Sequence, residues 1–246
     1  MSYNIVQKTT PNKSDRKGWK PDMIISHITE GSYNGAVSWL MNPKSGASSH
    51  FVVSKTGHIT QLVPITEMAW INGTTLNPGT SRYFGHSKLR LVRERKTNAN
   101  YYSIGIEHEG FSAQGQGKLT EAQYQATLWL HKHIIAEVKR LYGIDIPIDR
   151  DHIAGHSEVT PKWKPFCPGK NYPFARLIRD LKAQPQGDAI NMIINGRERV
   201  VPGKNIAGNT SLLLNGDYID IRDLGELLGY KVGWDPNKKA VKWDEV

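Results

Sequence analysis

The chain has 246 residues, 38% of them hydrophobic and 22% charged, a balance that fits one folded domain of ordinary size with a small second one. No apolar run approaches the ~20 residues that span a bilayer, so no membrane insertion is expected. A single cysteine, Cys167, excludes an intramolecular disulfide.

The net charge of +9 is unevenly spread, with 24 Lys+Arg against 14 Asp+Glu in residues 1–187 and 8 against 9 from Asp188 onward. Such a field favours polyanionic partners, among them nucleic acid, anionic lipid and the anionic polymers of a bacterial wall. The polar N-terminus lacks the apolar core of a secretory signal, which predicts synthesis in the cytoplasm without a signal peptide.

In chain order, DMIISHIT (Asp22–Thr29) reads as a buried strand with β-branched residues. NGAVSWLM (Asn34–Met41) suits a short helix that Asn42-Pro43 would stop. HFVV (His50–Val53) and HITQLV (His58–Val63) flank a Ser54-Lys55-Thr56-Gly57 turn, a hairpin pattern. SIGIEHEG (Ser103–Gly110) is a further strand. The clearest helix runs from Glu121 to Tyr142, with Thr120 as N-cap, Gln123 at the capping-box position and Gly143 as the stop. DRDHIAGH (Asp149–His156) reads as a strand running into an irregular segment, and FARLIRDLK (Phe174–Lys182) as a closing helix. The alternation predicts an α/β fold, a mixed central sheet flanked by helices. Breakers and polar residues place a linker at 184–188, between a domain at 1–183 and a small α+β module at 189–246. In that module Asn195-Gly196 suits a hairpin turn, Gly229 closes a short helix, and a second hairpin turns at Pro236-Asn237.

A hydrolytic zinc site takes three protein ligands and leaves a position for water. His27 at the end of an apolar strand, His156 in GHSEV and Cys167 in FCPG form a candidate set. The residues alone leave other readings open, because a His/His/Cys set without zinc-finger spacing recurs by chance. His131 and His133, two apart on a helix, point to different faces and do not share a metal. His50 is read either as pocket wall or as plain structure. Glu107 lies mid-strand, an unusual place for a carboxylate unless it faces a polar cleft, and Glu109 shares that face. Lys162 and Lys164 just precede Cys167, so a ligand there would bring one of them to the metal.

ISHIT, SSHFVVSKTGHITQLVP, MAW, SIGIEHEG and GHSEV…CPG, in this order, resemble the type-2 N-acetylmuramoyl-L-alanine amidases, a family of phage endolysins, bacterial autolysins and peptidoglycan recognition proteins. The resemblance covers about residues 20–182. It implies zinc held by His27, His156 and Cys167, Glu107 as general base, and a lysine shortly before the third ligand as oxyanion stabiliser. The family lysine stands two residues before that ligand, where this chain has Pro165, so Lys164 takes the role one position further back. After MAW many members have His-Ala-Gly, whereas Ile71-Asn72-Gly73 stands here. His50 and Asn72 are accordingly the candidate substrate contacts.

The implied reaction is hydrolysis of the amide between N-acetylmuramic acid and L-alanine in bacterial peptidoglycan. The implied setting is a phage endolysin that reaches the wall after release from the host cytoplasm. Alternatives are a non-catalytic peptidoglycan-binding module, which would lack the third ligand, and a cytosolic amidase recycling muropeptides. The basic stretch Arg82–Lys96, with six Lys/Arg against one Glu, reads as a solvated loop or as a rim for anionic wall polymers. No nucleic-acid motif accompanies it, and no nucleic acid is expected as partner. Residues Ile190–Trp243 resemble the small N-terminal repeat of copper amine oxidase-like surface proteins, through the NG turn, the IR…L..LLG helix and VGWD. That resemblance implies a wall-targeting or association role and no copper, since no His or Cys follows Asp188.

Overall fold

The computed structural model describes residues 3–113, 115–183, 188–206, 209–214 and 217–245. Its described residues fall into two compact units that divide between Lys182 and Ala183. Residues 184–187 of the expected linker lie outside the described residues.

The first unit contains β1 (Ile5–Gln7), β2 (Lys13–Ser14), β3 (Met23–Ile28), α1 (Tyr33–Met41), β4 (Phe51–Val53), β5 (Ile59–Gln61), β6 (Met68–Ala69), α2 (Arg90–Arg95), β7 (Ser103–His108), α3 (Glu121–Tyr142), β8 (Ile153–Gly155), α4 (His156–Val159) and α5 (Phe174–Lys182). Six strands form one sheet in the order β1-β5-β4-β7-β3-β8. β4 and β5 are antiparallel, joined by the hairpin at Ser54–Gly57, and the neighbours β4, β7, β3 and β8 run parallel.

Strand alternation sorts the core. Ile24, Phe51, Val53, Ile104 and Ile106 pack on one face against Ala126, Leu130, Ile134 and Val138 of α3. Met23 and Ile25 face the other way, onto Val92 of α2 and Tyr102, while Val52 meets Val37 and Leu40 of α1. Leu130 and Ile134 are wholly buried, and truncating either to alanine would cost about 2–5 kcal/mol.

Thr120 caps α3 by accepting from Gln123 N at 3.1 Å, but the expected capping box does not close. The Gln123 side chain donates instead to Val53 O and Glu109 O, both at 3.1 Å, which ties the first turn of the helix to the strand ends beside it. His156 also departs from expectation. It opens the short helix α4 rather than an irregular stretch, with Gly155 N donating to Glu158 Oε2 at 2.8 Å.

The second unit is a six-stranded sheet with one helix, α6 (Ile221–Leu227). Its strands are β9 (Asp188–Ile194), β10 (Arg197–Ile206), β11 (Asn209–Leu214), β12 (Asp217–Asp220), β13 (Tyr230–Asp235) and β14 (Ala240–Glu245). Met192, Leu212, Ile221, Val241 and Trp243 form its core. Asn195 and Gly196, at φ 47° and 77°, turn the β9–β10 hairpin in the left-handed region that Asn-Gly accommodates. No helix among the described residues is long and apolar enough to cross a membrane.

Candidate active site

Three neighbouring parallel strands set the site at their C-terminal ends. His27 of β3 pairs in register with Glu107 of β7, so both side chains leave the same face of the sheet, the one opposite α3. Ser26 pairs with Gly155 of β8, which carries His156 to the next rung beside His27. The two imidazole centroids are 4.5 Å apart.

Cys167 arrives on a wound loop. Trp163 N and Lys164 N both donate to Thr160 O, at 3.0 and 2.9 Å, and Ser157 N donates to Cys167 O at 2.8 Å. Just beyond, Gly117 and Gly169 let two backbone segments cross. A Cβ on Gly117 would lie 2.3 Å from Pro168 O, and one on Gly169 2.3 Å from the Gln116 backbone. The crossing leaves no room for side chains there and fixes the segment that follows the cysteine.

One ligand atom each from His27, His156 and Cys167 lies within 4.8 Å of the other two, and Cys167 Sγ is 4.0 Å from His27 Nδ1. A tetrahedral zinc ion with bonds near 2.0–2.3 Å needs edges of about 3.3–3.6 Å, so small side-chain adjustments close the cradle. His27 Nε2, His156 Nε2 and Glu107 Oε2 are buried without a hydrogen-bond partner, a set of unmet polar atoms that native interiors rarely tolerate. Two imidazoles and a thiolate are borderline-soft donors that match zinc.

Electrostatics agree with a site built for neutral ligands and a cation. Burial, then the neighbouring His156, holds the His27 imidazole well below its ordinary value. Burial lowers His156 to about 3, with the Lys164 charge adding to the shift. Burial, and secondarily the Glu107 charge, pushes the Cys167 thiol up. Glu107 is raised to about 8 by burial, against the pull of Lys164. Lys164 thus acts on all four groups. Lys162 turns away, its Nζ 3.0 Å from His86 Nε2. Glu109 also leaves the site, its Oε2 accepting from Lys55 N at 2.8 Å.

The cleft over these groups has a volume of ≈ 570 Å³, with Trp39, Trp70, Trp163 and Phe166 among its walls. Trp70 closes the MAW motif, while Trp39, Trp163 and Phe166 escape a motif-based reading, although signals exist. Trp39 falls off the buried Val37/Leu40 face of α1, and KWKPF sets two aromatics among lysines where no core periodicity requires them. His50 and Asn72, the expected substrate contacts, do not line the cleft. Both have 0% exposure. His50 Nδ1 accepts from Gly105 N at 3.0 Å and its Nε2 sits 2.9 Å from Arg16 Nη2, which makes it a tie between β7 and the N-terminal segment. Asn72 is bonded to Asn100 and Ser103. His108, next to Glu107 in sequence, supports β3 from behind: its Nδ1 meets His27 O at 2.9 Å and its Nε2 meets Thr127 and Tyr172.

The N-acetylmuramoyl-L-alanine amidase family model matches residues 17–170. This chain belongs to that family. N-acetylmuramoyl-L-alanine amidase A of Achromobacter lyticus is 31% identical over 164 residues, covering 62% of this chain and 78% of its own. The 1,6-anhydro-N-acetylmuramyl-L-alanine amidase AmpD of Haemophilus influenzae is 29% identical over 135 residues, covering 55% of this chain, which spans 59% of that relative. Among solved structures, a selenomethionine derivative of AmpD aligns with 74% of the chain and 100% of its own at 20% identity and a TM-score of 0.48. The amidase is thus an enzyme that hydrolyses peptidoglycan amide bonds, and the cleft residues are where that chemistry has to be found.

Proposed function

We propose that the amidase cuts the amide between the lactyl group of N-acetylmuramic acid and L-alanine with a zinc ion held by His27, His156 and Cys167. The observation that carries this reading is the convergence of the three ligand atoms within 4.8 Å, with Glu107 in register beside His27. Zinc in that cradle supplies Lewis acidity towards water and the scissile carbonyl. Glu107 accepts the proton of the attacking water and passes it to the leaving nitrogen of L-alanine, breaking the C–N bond. The Lys164 ammonium, on the cleft wall, offsets the negative charge on the carbonyl oxygen in the tetrahedral state. The aromatic walls give sugar rings apolar faces to lie on.

The setting that fits best is lysis of a bacterial host by a phage endolysin made in the cytoplasm and acting on the wall after release. The excess of cations in the first unit supports a second interaction, with anionic wall polymers. The second unit serves as a targeting or association module. Relatives named for 1,6-anhydro-N-acetylmuramyl-L-alanine favour one other reading, an amidase of soluble muropeptides.

The test is digestion of purified peptidoglycan with and without chelator, scored for new L-alanine amino termini. Release that chelation abolishes and added zinc restores is the expected result; release indifferent to chelation would overturn the zinc mechanism. Faster turnover of soluble anhydromuropeptide than of intact sacculi would favour the muropeptide reading.

A further inference from the structure

A second hollow adjoins the catalytic cleft. It has a volume of ≈ 640 Å³, within the range of about 300–1,000 Å³ common to ligand sites. Ser112, Pro165 and Phe166 line both it and the cleft, so the two are continuous past the loop that carries Cys167. Phe166 stands between them at 74% exposure, a large ring that the core does not use. Three chain segments build the hollow, and each is tied down. Its wall includes Gln116 and Gly169, where two backbone segments cross and Asn171 N donates to Gln116 O at 2.8 Å. Ser157 N holds Cys167 O at 2.8 Å, and Ser112 N donates to Glu30 Oε1 at 3.0 Å. A ligand entering such a preformed space pays little for ordering its walls.

The two compartments differ in chemistry. The cleft carries Trp39, Trp70 and Trp163 with the carboxylates of Glu30 and Glu107. The hollow offers the hydroxyls of Ser112 and Ser157, the Gln116 amide and the Lys170 ammonium, with no carboxylate among the described residues of its wall. Lys170 forms no ion pair among the described residues. Tryptophan walls suit the apolar faces of sugars, whereas amide, hydroxyls and an unspent cation suit a peptide that bears a carboxylate. In peptidoglycan the residue after L-alanine is a γ-linked D-glutamate whose α-carboxylate is free or amidated.

We propose that this hollow is the subsite for the peptide stem on the leaving side of the scissile amide, and that Lys170 selects stems whose D-glutamyl α-carboxylate is free. The assignment rests on the reading of the cleft as the place where the amide to L-alanine is cut. Lys170 is three residues from Cys167, so their Cα atoms are at most about 11 Å apart. L-alanine, the first bonds of the next residue and the lysine arm together cover that span. Phe166 packs on the stem where it passes out of the cleft.

The test uses the full chain and two soluble substrates, N-acetylmuramoyl-L-alanyl-γ-D-glutamate and its α-amide. Wild type, Lys170→Met, Lys170→Glu and Lys132→Glu are compared. Lys132 is exposed on α3, which packs on the opposite face of the sheet, and controls for the charge of the whole protein. Wild type and Lys132→Glu are expected to favour the acid by about 2–5-fold in kcat/KM, the strength of an exposed ion pair. Lys170→Met should bring the two substrates level and Lys170→Glu should favour the amide, through KM rather than kcat. No preference in wild type, a preference that survives Lys170→Glu, or an equal change in Lys132→Glu would overturn the inference. Binding of the dipeptide L-alanyl-γ-D-glutamate to ¹⁵N-labelled wild type gives a readout that needs no turnover. Shifted amide signals at Ser157, Gly169 and Lys170 support the subsite; shifts confined to the cleft, or none at millimolar dipeptide, overturn it. If neither substrate is cut, the reading of the cleft fails, and the dipeptide spectra alone decide the hollow.

Discussion

Replacing Glu107 by glutamine should make the metal-free amidase more stable, and increasingly so as pH rises. The carboxyl is raised from 4.5 to about 8 by burial, so below about pH 4.5 it is neutral in both folded and unfolded chains and costs little. Between about 4.5 and 8 the unfolded chain releases its proton while the folded chain retains it, and stability falls as pH climbs through that window. Each pH unit is worth about 1.36 kcal/mol, so the loss reaches roughly 3–5 kcal/mol by pH 8. Glutamine has nearly the same shape and no proton to lose. The buried histidines, which gain stability as pH rises towards 6.5, titrate alike in both proteins and cancel in the difference. Urea unfolding of chelator-treated wild type and Glu107→Gln at pH 5, 6.5 and 8 measures it. The advantage of the glutamine variant should be under about 1 kcal/mol at pH 5 and grow to several kcal/mol at pH 8. A difference independent of pH would refute a buried, proton-retaining carboxyl. Saturating zinc should shrink the difference, because a nearby dication stabilises the carboxylate.

Alanine at His27, His156 or Cys167 should remove nearly all bound zinc, measured by elemental analysis; full retention in His156→Ala would break the ligand assignment. Glu107→Ala should keep zinc and lower turnover by about 10²–10⁴, as read from amino-terminus release. Lys164→Ala should also keep zinc and lose turnover, while Lys162→Ala stays near wild type; the opposite order would reverse the choice of lysine. A chain ending near Gly187 should keep its rate on soluble muropeptides and sediment less with cell walls, and equal wall binding across a salt series would refute targeting by the second unit.

Much of the scaffold is legible from local pattern. α3 begins and ends where its cap, stripe and terminal glycine set it, at Glu121 and Tyr142, since these signals lie within a few residues of one another. The three ligand candidates are legible from motif order, although they sit in different settings, His27 at a strand end, His156 opening a short helix and Cys167 on a loop. What escapes is decided by distant segments. His50 has the parity of the cleft face, yet Arg16, 34 residues away, and the Glu67 carbonyl cover it. Asn72 disappears beneath Asn100 and Ser103, contacts that no local window contains. The Gln123 side chain fails to close its capping box because tertiary carbonyls take its protons.

The shared register of β7, β3 and the end of β8 bears on which insertions and deletions the chain can accept. Adjacent strands stand about 4.8 Å apart whatever the length of their connections. Lengthening the loop after β5, or that between α3 and β8, would leave the spacing of proton acceptor and ligands as it is. Removing one residue from within Met23–Ser26 would do the reverse. It would send His27 through to the α3 side, among Leu130 and Ile134, and bring Ile28 to the mouth of the cleft. Natural variation in length should therefore collect in the connections, and a single-codon deletion in β3 should cost more activity than several added codons elsewhere.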